Sequence, residues 1–106
     1  MTEQVFERAC AENEIEEGKI KTVEIKGHPI AIAGYQGKIY AVDNICTHDG
    51  GNLGEGNVIS GQVQCPRHGA RFDLATGQVR RMPAVIGITV YEVKVENGQI
   101  YVAIPD

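Results

Sequence analysis

Two short segments of this chain each combine one cysteine with one histidine. The first is Cys46-Thr47-His48 and the second is Cys65-Pro66-Arg67-His68, with 16 residues, 49 to 64, between them. Residues two or three apart in a turn can direct their side chains at different metal ions. The fold therefore has to bring two loops, well separated along the chain, to one metal centre.

Two thiolates and two imidazoles are the ligands of a [2Fe–2S] cluster in which two His replace two Cys on one iron. A tetrahedral zinc site uses the same ligand types. Zinc fingers, however, usually begin with two Cys and end with two His, whereas each half here is mixed. Buried Cys and His without a metal are a third interpretation, and four candidate ligands in two tight half-sites count against it. We predict a cluster bound by Cys46, His48, Cys65 and His68.

Beyond these ligands, the chain resembles the Rieske ferredoxin family, the small electron carriers of bacterial aromatic-ring-hydroxylating dioxygenase systems. The resemblance covers nearly the whole chain. The residues that carry it are Cys46-Thr47-His48, the nine residues from Cys65 to Asp73, Thr76-Gly77 and Met82-Pro83-Ala84. It implies that Cys46 and Cys65 bind one iron. The two histidines, His48 and His68, then bind the exposed iron, and a loop around Pro83 shields the cluster from a third side.

The resemblance also predicts a low reduction potential. High-potential relatives have a serine two residues after the second histidine and a tyrosine two residues further on, whose hydroxyls stabilise the reduced cluster. Ala70 and Phe72 occupy these positions here and have no hydroxyl. Those relatives also carry an extra cysteine in each loop, where this chain has Gly51 and Arg67. We therefore expect no disulfide between the loops and a potential of roughly −150 mV, the low end of the Rieske range.

Charge and composition exclude several classes of protein. The 106 residues suffice for one domain, 1–106, and their net charge of −4 arises from residues 1–24, which carry seven acids and three bases. Without a basic patch, nucleic acid is not an expected partner. Residues 1–8 lack the regions of a secretory signal, and no apolar run is long enough to span a membrane. We expect a cytoplasmic protein that binds no membrane.

The apolar pattern predicts an all-β fold. Apolar residues, mostly β-branched, alternate with others in short stretches separated by turns, which is typical of half-buried strands. The alternating residues are Val23 and Ile25, Ile30 and Ile32, Ile39 and Ala41, Val93 and Val95, and Ile100, Val102 and Ile104. Gly34-Tyr35-Gln36-Gly37 and Asn97-Gly98 predict hairpin turns, and residues 11–17 predict one helical turn. We expect an antiparallel β-sandwich or small barrel.

The middle of the chain is rich in glycine. Residues 46–77 hold seven of the 13 glycines together with all four candidate ligands. Glycine allows the backbone to turn tightly and to approach a ligand closely. We therefore predict a cluster-binding subdomain, about residues 44–80, inserted between the strands of a β base domain.

These observations predict an electron carrier rather than an enzyme. The sequence has no complete dinucleotide-binding fingerprint and no oxygenase domain, so electrons have to arrive from one protein and leave to another. By its resemblance, the chain takes electrons from a flavin-dependent reductase and passes them to a terminal dioxygenase of aromatic hydrocarbon catabolism. Two alternatives stay open: a small Rieske subunit of a nitrite-reductase-type complex, and a zinc-stabilised binding module. Cys10 is given no role.

Overall fold

The computed structural model describes residues 4–45, 52–66, 69–81 and 87–105. Within these residues the chain forms three antiparallel sheets and two single-turn 3-10 helices. The prediction of an all-β antiparallel fold is therefore confirmed. The first 3-10 helix, Glu12–Glu14, lies within the segment predicted to form a helical turn. None of the described helices is long and apolar enough to cross a membrane.

The first sheet, here called the terminal sheet, joins the two ends of the described chain. Its strands, in spatial order, are β1 (Gln4–Ala11), β11 (Gln99–Pro105) and β10 (Val93–Glu96). Asn97 and Gly98 connect β10 to β11 with φ angles of 50° and 75°. Positive φ at both central residues is what a type I′ turn requires, so the predicted hairpin is confirmed.

The apolar alternation does not identify β1, and a β-bulge explains why. Val5 and Glu7 pair with Ile104 and Val102, but the register shifts between Arg8 and Cys10. A bulge adds one residue to one strand and so changes which positions face inward. The buried position after the bulge is Cys10, three residues after Glu7. A strict period of two cannot describe such a strand.

The second, central sheet is buried on both faces along its strand β3. Its strands, in spatial order, are β2 (Ile20–Ile25), β3 (His28–Tyr35), β4 (Lys38–Asp43) and β9 (Val90–Tyr91). Along β3, Ile30 and Ile32 pack into one hydrophobic cluster and Ala31 and Ala33 into another. The prediction of a half-buried strand is therefore wrong for β3, because a second layer covers the face that the alternation assigned to solvent.

The third, inserted sheet supplies that layer and lies between β4 and β9 in the sequence. Its strands pair in chain order: β5 (Asn57–Ile59), β6 (Gln62–Gln64), β7 (Arg71–Asp73) and β8 (Val79–Arg81). The second 3-10 helix, Leu53–Glu55, precedes it. The strands β5 to β7 fall within the glycine-rich stretch, residues 46–77, and β8 follows it. The subdomain boundaries near residues 44 and 80 stay a prediction.

Each outer sheet contributes to its own hydrophobic cluster against the central sheet. Ile100, Val102 and Ile104 of the terminal sheet belong to the cluster that contains Ile30 and Ile32, here called the terminal core. The other cluster, here called the inserted core, lies against the inserted sheet and also holds residues from the loops. Its buried members are Ala31, Ala33, Val42, Leu53, Val63, Cys65, Ala70, Phe72, Leu74 and Ile88.

Candidate metal centre

One of the four predicted ligands lies in the described part of the chain. Cys65 is 1% exposed and has a free thiol. It packs in the inserted core, next in sequence to β6. The other three predicted ligands, Cys46, His48 and His68, fall outside the described residues, as does the proline of the predicted shielding loop. The structure therefore describes the framework from which the ligand loops depart.

The segment from Cys65 to Gly69, here called the second ligand loop because it contains the predicted ligands Cys65 and His68, is closed at its base by backbone hydrogen bonds. The Cys65 amide donates to the Ala70 carbonyl at 2.8 Å, and the Gly69 amide donates to the Cys65 carbonyl at 3.2 Å. Gly69 has a φ of 77°, a conformation that costs glycine little because it has no Cβ. The loop that contains His68 thus begins and ends at a fixed closure, with the Cys65 thiol at its buried end.

The first ligand loop, residues 46–51 with the predicted ligands Cys46 and His48, also has anchored ends. β4 ends at Asp43, whose amide donates to the Thr89 carbonyl at 2.9 Å. The next amide, from Asn44, donates to the Pro29 carbonyl at 2.9 Å. On the far side of the loop, Leu53 is fully buried in the inserted core. Both ends of residues 46–51 are therefore attached to the central sheet or to the core beside it.

A third segment, residues 82–86, is anchored in the same way. It follows β8, and the chain then returns at Ile88, whose amide donates to the Gly77 carbonyl at 2.9 Å. The Gly77 amide in turn donates to the Asp73 carbonyl at 2.7 Å. This segment contains Pro83 of the predicted shielding loop. Its two ends are therefore tied to the β7–β8 hairpin.

All three segments depart from one hydrophobic cluster. Leu53, Cys65, Ala70 and Ile88, which lie at their ends, are all buried members of the inserted core. A shared core fixes the loop bases relative to one another, because protein interiors are packed at the density of organic crystals. The shared core is compatible with two distant loops converging on one metal centre, and that convergence stays a prediction.

Charged groups of the β7–β8 hairpin stabilise its geometry. The Asp73 carboxylate accepts hydrogen bonds from the Ala75 and Thr76 amides at 2.8 and 3.4 Å and forms an ion pair with Arg80 at 3.0 Å. Partial burial raises the pKa of Asp73, but the hydrogen bonds from Arg80 and the two amides outweigh it and lower the pKa overall. Asp73 therefore stays ionised and holds the hairpin that follows the second ligand loop.

A second group of titratable side chains lies around Asp43, the last residue of β4. Burial raises the pKa of Asp43, and nearby His28 opposes that shift. The rings of His28 and Tyr91 meet edge to face with centroids 6.3 Å apart. Burial, and then the Asp43 carboxylate, raise the pKa of Tyr91. These groups belong to β3, β4 and β9, so they connect three strands of the central sheet at the point where the loop departs.

Sequence reasoning missed two polar residues next to the ligand loops. Asn44 is 7% exposed, and Arg71 has a buried Nε with no hydrogen-bond partner among the described residues. Arg71 begins β7, directly after the second ligand loop. Arg71 is one of the residues that carry the family resemblance, but no sequence pattern predicts that its Nε is buried without a partner. Asn44 offers a weak signal, since an Asn directly after a strand often hydrogen-bonds to backbone.

The described residues fit a bound iron–sulfur cluster. Cys65 offers a buried thiol that is free of any disulfide, at the base of a loop held by two backbone hydrogen bonds. Thiolate is the protein ligand of such clusters. The dry surroundings of Cys65 suit a buried cluster ligand, since burial and exposure help to set the properties of a metal centre.

Comparison with known proteins supports the same assignment. The family model described as the Rieske [2Fe-2S] domain matches residues 6–92. A ferredoxin component of the naphthalene 1,2-dioxygenase/salicylate 5-hydroxylase systems of Ralstonia sp is 36% identical over 100 residues, which cover 94% of this chain and 95% of the relative. This match extends over nearly the full length of both chains.

Solved structures agree in fold. A chain of the complex of reduced oxygenase and oxidized ferredoxin in carbazole 1,9a-dioxygenase superposes with a TM-score of 0.88 at 33% identity, covering 94% of each chain. A putative NADH-dependent nitrite reductase small subunit from Mycobacterium tuberculosis gives 0.85 at 29% identity, covering 94% of this chain and 95% of that one. With its ligand pattern, its closed loop at Cys65 and the domain match over residues 6–92, this chain belongs to the Rieske [2Fe–2S] family.

Proposed function

We propose that this chain is a one-electron carrier that takes electrons from a flavin-dependent reductase and passes them to a terminal Rieske-type aromatic-ring dioxygenase. The observation that carries the proposal is the 36% identity, over nearly the whole of both chains, to a dioxygenase ferredoxin component. That relative is an electron-transfer component and not an oxygenase. The same role, rather than catalysis, follows for this chain.

The chain's own residues would hold and shield the cluster. In this proposal Cys46 and Cys65 bind the inner iron, and His48 and His68 bind the outer one. The bound cluster supplies reversible uptake of one electron at a Rieske potential. The proposed subdomain of about residues 44–80 carries all four ligands, and the loop around Pro83 covers a third side. The burial of Cys65 keeps water from the inner end.

The proposed partners are two soluble proteins. A terminal oxygenase is supported by the structural match to a ferredoxin that was solved together with its oxygenase. The flavin-dependent reductase follows from the need for an electron source, since the sequence has no complete dinucleotide-binding fingerprint. We propose that the protein acts in the cytoplasm and binds neither membrane nor nucleic acid. Docking is expected to be transient, with a small interface.

A second candidate function is supported by one observation. The fold is nearly as similar to the putative nitrite reductase small subunit, at a TM-score of 0.85, as to the carbazole dioxygenase ferredoxin, at 0.88. In that case the chain would be a stable subunit of a larger enzyme. The two functions differ in the lifetime of the complex, because a subunit co-purifies with its large partner and a carrier does not.

Reconstitution tests the proposed carrier. The purified chain is mixed with the reductase and the aromatic-ring oxygenase encoded beside its gene, with NADH and substrate. We expect the reductase to reduce the chain, the oxygenase to reoxidise it, and product to form only when the chain is present. The cluster-free protein serves as the matched control and should support no turnover. Full turnover without the chain, or stable co-purification with a nitrite reductase large subunit, would contradict the proposal.

A further inference from the structure

Asn44 is the one buried polar or charged side chain among the described residues. It is 7% exposed and lies between the end of β4 and the first ligand loop, two residues before Cys46. Burying an amide costs free energy unless its polar atoms find partners. The partner of Asn44 is therefore informative about why a polar residue occupies this position.

That partner lies at the opposite end of the first ligand loop. The Asn44 Oδ1 accepts a hydrogen bond from the Gly54 amide at 2.6 Å. Gly54 is the middle residue of the 3-10 helix Leu53–Glu55. The bond therefore joins residue 44 to residue 54 across the base of the segment that contains Cys46 and His48. This pair, Asn44 and Gly54, is here called the neck of the first ligand loop.

The Gly54 amide has no other partner in its helix. At the start of a helix the first amides lack intrahelical acceptors, and the residue that precedes this helix, Asn52, makes no capping hydrogen bond with its side chain. Asn52 instead donates to the Glu55 carboxylate at 3.0 Å. Asn44 thus caps this helix from across the loop, and its loss would leave a part-buried donor unsatisfied.

The neck is also attached to the central sheet. A Cβ on Gly54 would clash with the Thr22 side chain on β2 and would lie 3.1 Å from the Asn44 Oδ1. The Asn44 amide itself donates to the Pro29 carbonyl, at the start of β3. The Asn44 backbone is therefore bonded to β3, and its side chain is bonded to Gly54, which packs against Thr22 of β2.

We infer that Asn44 is a positioning residue of the metal centre, whose side-chain amide clamps the neck of the first ligand loop and so holds Cys46 and His48 in place for the cluster. This inference rests on the proposed cluster function. The clamp acts on the ligands through the backbone of the loop, and Asn44 is not one of the four predicted ligands. When the clamp is lost, the loop opens more often and the ligands leave the metal more often.

The test measures release of iron from the oxidised holoprotein to a strong chelator. Asn44→Leu keeps the number and branching of the side-chain heavy atoms but removes the acceptor, and we expect it to release iron about tenfold faster, or more, the equivalent of about 1.4 kcal/mol. Asn44→Asp keeps an oxygen acceptor and should release iron at a rate between those of wild type and Asn44→Leu. The visible spectrum of the reduced variants should report the altered ligand geometry independently.

A matched control separates the clamp from general destabilisation. Val102→Ala truncates a fully buried side chain in the terminal core, away from the loops. It should lower thermal stability and leave iron release close to wild type. Iron release from Asn44→Leu that is no faster than from Val102→Ala, or an Asn44→Asp variant as fast as Asn44→Leu, would overturn the inference.

Hydrogen exchange of the wild-type holoprotein keeps the inference testable if Asn44→Leu fails to fold. The Gly54 amide should exchange slowly because it is hydrogen-bonded to Asn44, and rapid exchange at that amide would refute the clamp. Failure of the proposed function gives a different result. A wild-type protein that contains no iron and no sulfide would refute the proposed cluster. An intact cluster whose iron release does not depend on Asn44 would refute only the clamp.

Discussion

Replacing Cys65 with alanine is expected to abolish cluster binding, whereas replacing Cys10 with alanine leaves it intact. The two cysteines form a natural pair, since both are buried, at 1% and 3% exposed, and both have free thiols. Cys65 packs in the inserted core at the base of a ligand loop, and Cys10 packs in the terminal core. Because each substitution removes one buried sulfur, the two truncations carry comparable packing costs.

The physical reason for the difference is the ligand chemistry. A [2Fe–2S] cluster needs its thiolates, and alanine offers no metal ligand. Burial raises the pKa of Cys10, so that residue stays a thiol and acts as a small apolar side chain. Iron content and visible absorbance of the purified variants are the measurements. A Cys65→Ala protein with a full complement of iron, or a Cys10→Ala protein that folds but lacks iron, would contradict the ligand assignment.

The second large effect concerns the reduction potential, which we expect to lie at roughly −150 mV, the low end of the Rieske range. Ala70 and Phe72 are both fully buried, and both share the inserted core with Cys65. The Ala70 carbonyl accepts a hydrogen bond from the Cys65 amide. The side chain at position 70 therefore begins close to this predicted ligand. A hydroxyl at either position would sit in dry surroundings, where a hydrogen bond to sulfur is strongest.

Ala70→Ser and Phe72→Tyr should therefore each raise the potential. The expected rise is roughly 20 to 60 mV for each, the one-electron equivalent of about 0.5 to 1.5 kcal/mol per hydrogen bond. Phe72→Leu changes the packing without adding a hydroxyl and serves as the control. Protein-film voltammetry gives all four potentials on one scale. A clearly positive wild-type midpoint at neutral pH would show that backbone dipoles or solvent exposure outweigh the missing hydroxyls.

Local chemistry is the part of this protein that sequence predicts best. The paired Cys and His segments indicate the cluster, and the match of a Rieske domain model to residues 6–92 confirms the family. The two-residue turn at Asn97-Gly98 is likewise a local property, because both residues tolerate a positive φ. Such features depend on neighbouring residues alone, so they need no knowledge of how the sheets stack.

Features that depend on tertiary packing escape prediction. The bulge between Arg8 and Cys10 interrupts the alternation that would have identified β1. The period-two pattern of β3 assigns Ala31 and Ala33 to the solvent-facing side, but the inserted sheet covers them. The bond from Gly54 to Asn44 joins residues ten apart in the sequence across a loop. In each case a contact between distant residues decides the outcome, and periodicity within one segment contains no information about it.

Metal and sulfide analysis of the purified chain tests the central claim most directly. A Rieske centre bound by Cys46, His48, Cys65 and His68 predicts two irons and two acid-labile sulfides per chain. The reddish-brown colour of the protein should bleach when one electron is added. A colourless protein that contains one zinc ion and no sulfide would contradict the account, because the same four side chains would then form a tetrahedral structural site with no redox role.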